Sequence, residues 1–179
     1  NGYEILEAKL KDPMISGIPV IVISNSGQPV EINRALALGV KDYLVKAQFD
    51  PEEVLVKVRD QLRKNEEPLS SVTSLENNIN QKANPVSLEG KKIVWVEDDQ
   101  FLNDIIARKL STTKCLFFHS SEGEEALKII DREKPDIIML DIILSGMDGF
   151  EILRRIKSNE KTKHIPVILL SNLGQASDI

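Results

Sequence analysis

The chain has 179 residues, of which 41% are hydrophobic and 28% are charged, and its formal net charge at pH 7 is −5. This length and composition predict one domain or two small ones with an aliphatic core, and the negative charge argues against a general nucleic-acid or membrane surface. The single cysteine, Cys115, excludes an intrachain disulfide framework, and no apolar run approaches the roughly 20 residues of a membrane span. We therefore expect a cytoplasmic protein that neither binds nucleic acid directly nor spans a membrane.

The first third of the chain alternates predicted helices and strands. The second of its helices ends at Gly39, a residue type typical of the position after a helix, and the third begins at Asp50-Pro51, an N-cap followed by proline. Residues 65–90 are rich in Asn, Ser, Glu and Pro, which predicts a linker. The predicted helices cover residues 4–10, 30–38 and 51–62, and the predicted strands cover residues 18–24 and 43–46.

The same alternation restarts at Lys91. Apolar runs predict strands over residues 93–96, 115–118, 136–141 and 165–171, and a helix is expected from Gly149 to about Lys157. Ser121 and Glu124 have the spacing of a capping box. Either Asp98 or Asp99 is expected to cap the helix that starts near Gln100.

Residues 148–179 repeat residues 1–32 without a gap. Asp148-Gly149-Phe150 echoes Asn1-Gly2-Tyr3, and each equivalent pair is 147 positions apart. A period of this size indicates a tandem domain duplication. We predict three segments: 1–64, the C-terminal part of a first copy; 65–90, a linker; and 91–179, the N-terminal part of a second copy.

Three acidic residues follow predicted strands of the second copy. Glu97 and Asp98 come after its first strand, and Asp141 ends its third. In a right-handed doubly wound sheet these strands are neighbours, so the three carboxylates should converge. Because only oxygen ligands are present, the hard cation Mg²⁺ is the predicted occupant. A lone Asp141 would more often cap a turn, and the second acidic pair is what favours a site.

A carboxylate beside Mg²⁺ can attack a phosphoryl group and form an aspartyl phosphate. The charge on the phosphoryl oxygens then requires hydrogen-bond donors as well as the metal. Ser171, which ends the fourth strand, and Lys46, which ends the fifth strand of the first copy, are candidate donors. Taken alone, each is more often an ordinary turn residue.

Five segments together resemble the receiver domain of bacterial response regulators. They are Val96–Asp99, Asp136–Asp141, Leu144–Gly149, Ile165–Ser171 and Asp42–Lys46. The resemblance covers the chain except the linker, and it implies a fragment of a tandem receiver protein. It also implies a flavodoxin-like doubly wound parallel α/β sheet of order 2-1-3-4-5, here present as two complementary partial copies.

The resemblance implies a role in a two-component phosphorelay. A histidine kinase or a histidine phosphotransfer domain would donate a phosphoryl group to Asp141. Mg²⁺ would be held by Glu97, Asp98, Asp141 and the backbone carbonyl of Ile143. The chain would then act only in self-catalysed phosphoryl transfer and autodephosphorylation, and is not otherwise an enzyme.

The resemblance also assigns the residues that sense the phosphate. Lys46 matches the lysine that pairs with it, Ser171 and Ser24 match the switch hydroxyl in the two copies, and Tyr43 matches the aromatic switch residue. The family usually has proline where this chain has Ser145, a departure that we expect to have no effect.

Three other functions share features with this one. A degenerate receiver would bind partners without phosphorylation. A haloacid-dehalogenase phosphatase would place its nucleophile after the first strand with a second Asp two positions on, unlike Glu97-Asp98-Asp99. A flavin electron carrier of similar fold would need a Ser/Thr-rich phosphate loop after the first strand, where the same acids would repel the phosphate. The phosphoacceptor is favoured.

The two partial copies have complementary gaps. We predict that residues 25–64 complete residues 91–171, within one chain or by exchange between two, so that Lys46 faces Asp141. Each chain has two copies of the fourth strand. One helix–strand unit is therefore surplus, and we predict that it is loosely attached or mediates contacts in a homodimer.

Overall fold

The structure is a computed structural model that describes residues 2–24, 28–40, 42–45, 50–66 and 86–171. These residues form helices and strands that alternate along the chain, close to the predicted bounds. In chain order they are α1 (Gly2–Lys11), β1 (Val20–Ser24), α2 (Pro29–Ala37), β2 (Asp42–Val45), α3 (Pro51–Glu66), β3 (Lys92–Val96), α4 (Gln100–Ser111), β4 (Leu116–Ser120), α5 (Gly123–Glu133), β5 (Ile137–Asp141), α6 (Gly149–Ser158) and β6 (Val167–Ser171).

All six strands belong to one parallel sheet, in the order β2-β1-β6-β5-β3-β4. The strands of the second part, β4-β3-β5-β6, have the predicted order 2-1-3-4 when they are counted within that part. Every residue of β1, β5 and β6 is buried, as expected for parallel strands covered on both faces. The flavodoxin-like α/β class is therefore confirmed, with β1 and β2 extending the sheet beyond β6.

The position of β1 corrects the predicted assembly. The surplus helix–strand unit is not loosely attached, because β1 lies inside the sheet between β6 and β2, with Val20 opposite Leu169. The Leu169 N–H donates to the carbonyl of Pro19 at 3.0 Å. Without β1, the backbone groups along this edge of β6 would lack sheet partners unless another strand took its place.

The insertion of β1 moves β2 away from β5. Three strand spacings separate β2 from β5, which is roughly 14 Å at the usual spacing of parallel strands. Lys46 lies outside the described residues, so its predicted approach to Asp141 stays a prediction.

Helices pack on both faces of the sheet. On one face α1, α2, α5 and α6 contribute apolar side chains to a common core, for example Leu6, Ala35, Ile130 and Leu153. On the other face α3 and α4 cover the sheet around the fully buried Trp95. None of the helices in the described segments is long and apolar enough to cross a membrane.

The helix caps described here match those predicted from the sequence, with one exception. Asp50 accepts a hydrogen bond from the Glu52 N–H at 2.8 Å at the start of α3, and Gly39 has a positive φ of 76° just after α2, as predicted. The predicted capping box at Ser121 and Glu124 is wrong, because Glu122 is the N-cap of α5 and makes no side-chain capping bond.

Ser120 takes over part of that capping role. Its hydroxyl accepts from the Glu122 N–H at 3.2 Å and donates to the carboxylate of Glu125 at 3.1 Å. The Ser-to-Glu contact therefore spans two more residues than a capping box, since β4 continues to Ser120 before the chain turns into the helix.

The predicted division into segments 1–64, 65–90 and 91–179 stays a prediction. α3 continues two residues past the first boundary, to Glu66. Residues 67–85, which make up most of the predicted linker, lie outside the described residues.

Candidate metal centre

The acidic cluster forms where two neighbouring strands end. β3 ends at Val96, directly before Glu97 and Asp98, and β5 ends at Asp141. Because Val96 lies opposite Leu140 in the parallel pair, these acids emerge at the same edge of the sheet. One carboxylate oxygen from each of Glu97, Asp98 and Asp141 lies within 4.8 Å of the others. The structure thus brings together the three side chains that the strand positions predicted.

Two of these carboxyls are almost completely buried. Glu97 is 3% exposed and Asp141 is 5% exposed, whereas Asp98 lies at the surface. Burial raises the pKa of Glu97 to about 8, and the charge of Asp141 adds to this effect. Burial also raises the pKa of Asp141 to about 7, against the opposing effect of a hydrogen bond from the Ile143 N–H. The cluster therefore favours protons, or a cation, at neutral pH.

Backbone donors hold one oxygen of each buried carboxylate. Glu97 Oε1 accepts from the Asp99 N–H at 3.0 Å, and Asp141 Oδ1 accepts from the Ile143 N–H at 3.0 Å. These bonds fix the side chains without using their second oxygens, Glu97 Oε2 and Asp141 Oδ2. Ile143 lies where the resemblance places it, two residues after Asp141, and its carbonyl as a metal ligand stays a prediction.

The predicted N-cap of α4 is confirmed for one of its two candidates, Asp99. Asp99 Oδ1 accepts from the N–H groups of Phe101 and Leu102, at 2.9 and 3.2 Å, so it is Asp99 that caps α4. Asp98 is directed instead toward the loop after β5. Asp99 therefore stabilises the start of α4, whereas Asp98 belongs to the acidic cluster.

Ser145 is a site residue that the sequence prediction missed. Both its N–H and its hydroxyl donate to Asp98 Oδ2, at 2.9 and 2.6 Å. A proline at this position would supply neither donor, so the expectation that the departure has no effect is questioned by these contacts and stays to be tested. The available signal was a hydroxyl in the loop after β5, close in sequence to Asp141 and opposite a pair of acids.

The predicted phosphate-sensing residues are only partly assembled. Ser171 ends β6 one position beyond Leu170, the residue opposite Asp141, and its buried hydroxyl has no hydrogen-bond partner among the described residues. Ser24 is buried at the end of β1, and Tyr43 lies half-buried on the edge strand β2. Lys46 lies outside the described residues. Ser171 is therefore the described hydroxyl on the strand next to Asp141.

Gly149 allows α6 to start against the backbone of the acidic strand. Its N–H donates to the Ile142 carbonyl at 3.1 Å, and a Cβ at this position would lie 2.7 Å from the Ile142 Cα and 2.9 Å from its carbonyl oxygen. The atoms in the way are backbone atoms at the end of β5, so they cannot move without moving Asp141. Glycine is required here by close approach and not by backbone torsion.

We expect Gly149→Ala to lower the free energy of unfolding by about 1–3 kcal/mol, the range typical of forced overpacking. Gly17→Ala is the matched control, because nothing lies within 4 Å of a Cβ there. Chemical denaturation of both variants measures the difference. Equal stability of the two variants would contradict the close packing of α6 on β5.

The donor set fits a hard divalent cation. Three carboxylates supply oxygen ligands, two of them buried and each held by a backbone donor, and their mutual repulsion is relieved by a positive charge. Mg²⁺ prefers oxygen ligands such as carboxylates and keeps water in several of its positions. The exposure of Asp98 leaves the cluster open to solvent on one side.

Comparisons with known proteins place this site in a family. Residues 93–179 match the family model described as "Response regulator receiver domain". The phosphate regulon transcriptional regulatory protein PhoB of Pseudomonas aeruginosa is 39% identical over 88 residues, which are 48% of this chain and 38% of PhoB. The response regulator PleD of Caulobacter vibrioides is 34% identical over 87 residues, which are 49% of this chain and 19% of PleD.

The comparison with solved structures also found similar chains. The BeF3-activated N-terminal receiver domain of Klebsiella pneumoniae RstA is 36% identical, covering 45% of this chain and 66% of that one, with a TM-score of 0.40. The chain spans less than two fifths of the length of the two curated relatives named above.

Proposed function

We propose that this chain, whose residues 93–179 match the model of the response regulator receiver domain, accepts a phosphoryl group on Asp141 within a two-component phosphorelay. The observation that carries the proposal is the convergence of Glu97, Asp98 and Asp141 within 4.8 Å at the carboxyl edge of the sheet. Ligands of open α/β sheets bind at this edge. A pocket of this kind suits an in-line transfer onto a carboxylate oxygen.

Asp141 is the proposed nucleophile. Its Oδ1 is held by the Ile143 N–H, and Oδ2 is the oxygen proposed to attack. In the transfer, the new bond from Asp141 to phosphorus forms as the phosphorus–nitrogen bond of a phosphohistidine breaks, and the imidazole leaves with a proton. Holding the carboxylate in advance lowers the cost of orienting it at the moment of reaction.

Glu97, Asp98 and Asp141, with the Ile143 carbonyl, are the proposed ligands of Mg²⁺. When bound, the ion neutralises charge on the phosphoryl oxygens and keeps the carboxylates ionised. Ser145 positions Asp98 through its two hydrogen bonds, which makes it a positioning residue of the same site.

Ser171 is the proposed donor to the bound phosphoryl group from the strand next to Asp141. A buried hydroxyl without a partner is costly unless something fills that role, and a phosphoryl oxygen can accept its hydrogen bond. Lys46 is proposed to pair with the phosphate, and Tyr43 and Ser24 are retained as proposed switch residues.

The proposed partners are a histidine kinase or a histidine phosphotransfer domain. Self-catalysed transfer and autodephosphorylation are the proposed chemistry, without turnover of a separate substrate. A homodimer, a cytoplasmic location and the absence of direct nucleic-acid binding stay predictions.

A second candidate function is a receiver that binds partners without being phosphorylated. The observation that favours it is the insertion of β1, which leaves β2 three strand spacings from β5. A site whose fifth-strand residues stay at that distance would lack part of its phosphate contacts.

Phosphoryl incorporation from acetyl phosphate distinguishes the two functions. We expect Mg²⁺-dependent labelling of the chain that is stable to denaturation, labile to alkali and removed by hydroxylamine, as an acyl phosphate is. EDTA should abolish the labelling, since the carboxylates then repel the incoming phosphate. A chain that binds Mg²⁺ and stays unlabelled would support the second function instead.

Ser145→Ala should weaken Mg²⁺ binding about tenfold, the lower end of the effect of removing a hydrogen bond that orients a ligand. The fluorescence of Trp95, the single tryptophan, reports binding because it lies two residues before Glu97 on β3. Ser158→Ala, an exposed serine at the end of α6, serves as the matched control. Equal Mg²⁺ affinities for the two variants would show that Ser145 does not position Asp98.

A further inference from the structure

Two strands in the sheet are near copies of one another. β1 reads VIVIS and β6 reads VILLS, and they are equivalent positions of the repeat, 147 residues apart. Val20 and Val22 face the same core as Val167 and Leu169. On the opposite face, the remaining apolar positions also correspond: Ile21 and Ile23 in β1 with Ile168 and Leu170 in β6. Either strand therefore offers the same alternation of side chains to a neighbour.

The register of these strands preserves that equivalence. β1 pairs with β6 at a shift of two positions, since Val20 lies opposite Leu169 and not opposite its repeat equivalent, Val167. A shift of two keeps every side chain on its own face, whereas a shift of one would reverse them all. β2 pairs with β1 so that Ser24 lies opposite Val45. The same pairing on β6 would put Ser171 opposite Val45.

The helix–strand unit of the first copy is the weaker of the two. At the position where α6 buries Ile156, α1 buries Lys9, which is only 4% exposed. The ammonium group of Lys9 donates to the Ser16 carbonyl at 2.6 Å. A buried lysine costs stability that an isoleucine at the same place contributes.

The sheet is less completely covered at its edge strand, β2, whose four residues are all partly exposed. The helices α3 and α4 cover one face of the sheet and are joined by an ion pair between Glu52 and Lys109 at 2.8 Å. An open groove of about 430 Å³ remains between α3 and the outer strands, lined in part by Leu44 and Val56. The apolar surface around β2 is therefore only partly covered.

We infer that β1 is an exchangeable strand, and that this chain has a second arrangement in which α1 and β1 leave the sheet and β2 pairs directly with β6. β6 offers β2 the same faces and the same register that β1 offers. The exchange removes the buried Lys9 and returns conformational entropy to residues 2–24, which offsets the lost burial of α1 and β1.

The exchange moves β2 relative to the acidic cluster. β2 comes one strand spacing closer to β5, about 4.8 Å, and slides back along the strand direction by two residues, about 6.6 Å. Helix α2 moves with it. In the described structure Asp12, directly after α1, pairs with Arg154 of α6, and Glu7 of α1 pairs with Arg34 of α2. The departure of α1 brings α2 against α6.

Hydrogen exchange compares the two strands within one molecule. We expect the amides of residues 20–24 to exchange at least about tenfold faster than those of residues 167–171, because only β1 leaves the sheet without global unfolding. Lys9→Ile should slow exchange in β1 and leave β6 unchanged. Equal protection of the two strands in the wild-type chain would overturn the inference.

A distance between spin labels tests the arrangement itself. Labels on Asn33→Cys in α2 and Ser158→Cys in α6, in a Cys115→Ser background, report the gap that α1 fills. Val22→Asp places a charge in the core face of β1 and should shorten this distance by about 10 Å, one helix packing distance, in a protein that still unfolds cooperatively.

The matched variant places the same charge in β6. Leu169→Asp should unfold the chain, since β6 belongs to both arrangements. If Val22→Asp unfolds the chain as Leu169→Asp does, or if it keeps the wild-type distance, then β1 is an obligatory strand and the exchange does not occur. Neither measurement uses a phosphodonor or Mg²⁺, so failure of the proposed phosphoacceptor function would leave both results unaffected.

Discussion

Asp141→Asn is expected to abolish phosphoryl incorporation from acetyl phosphate, with the label falling at least about 100-fold, to background. An amide has no anionic oxygen to attack phosphorus and cannot form an acyl phosphate. Asp141 is the acid that combines a place at a strand end, a nearly complete burial and an oxygen not held by the Ile143 N–H. The measurement is radiolabel or intact mass after a fixed time with Mg²⁺.

Asp131→Asn is the matched control for this loss. Asp131 is a fully exposed carboxylate on α5, paired with Lys134, and its removal changes the net charge by the same amount. It should label as the wild-type chain does. Labelling that persists in Asp141→Asn and disappears in another acidic variant of the cluster would move the phosphoacceptor to Glu97 or Asp98.

Much of this site could be predicted because it depends on strand ends. A continuous apolar run predicts a buried parallel strand, and the residue that ends it must lie at the carboxyl edge of the sheet. Glu97, Asp98 and Asp141 could therefore be brought together from strand order alone, as the structure does. The fold class followed from the same alternation of helices and strands.

The position of β1 could not be predicted in the same way. Sequence patterns show that Val20–Ser24 is a buried strand, but β6 presents the same pattern, and both can pair with β2. Which copy lies next to β2 depends on the sum of many burial and entropy terms over the whole sheet. Local patterns do not contain that balance.

Ser145 shows a different limit. Its hydrogen bonds to Asp98 join residues 47 positions apart, so they depend on where two loops meet once the sheet has formed. The sequence around Ser145 predicts only that this serine lies in a turn. Asp99 was easier, since an N-cap is a local feature of the chain just before α4.

The stability of the metal-free protein is expected to fall as the pH rises toward 8. Folding raises the pKa of Asp141 from 3.8 to about 7 and that of Glu97 from 4.5 to about 8, so the folded state binds protons that the unfolded state has already released. This contribution is fully present below the unfolded pKa values and is lost as the pH rises through the folded ones. The two buried groups together should contribute on the order of 2–4 kcal/mol to the change.

Asp141→Asn isolates this effect from that of other carboxyls, because it removes the charge that must be buried. In EDTA the free energy of unfolding of the variant, relative to that of the wild-type chain, should rise by about 2–3 kcal/mol between about pH 5 and about pH 8, which makes the variant the more stable of the two at the higher pH. Saturating Mg²⁺ should reverse the order at the higher pH, since the ion stabilises the ionised wild-type cluster and binds the variant more weakly. Urea unfolding at the two pH values, with and without Mg²⁺, measures all four differences. A wild-type chain whose metal-free stability rises between these pH values relative to Asp141→Asn would show that the cluster is not a set of buried, mutually repelling carboxylates.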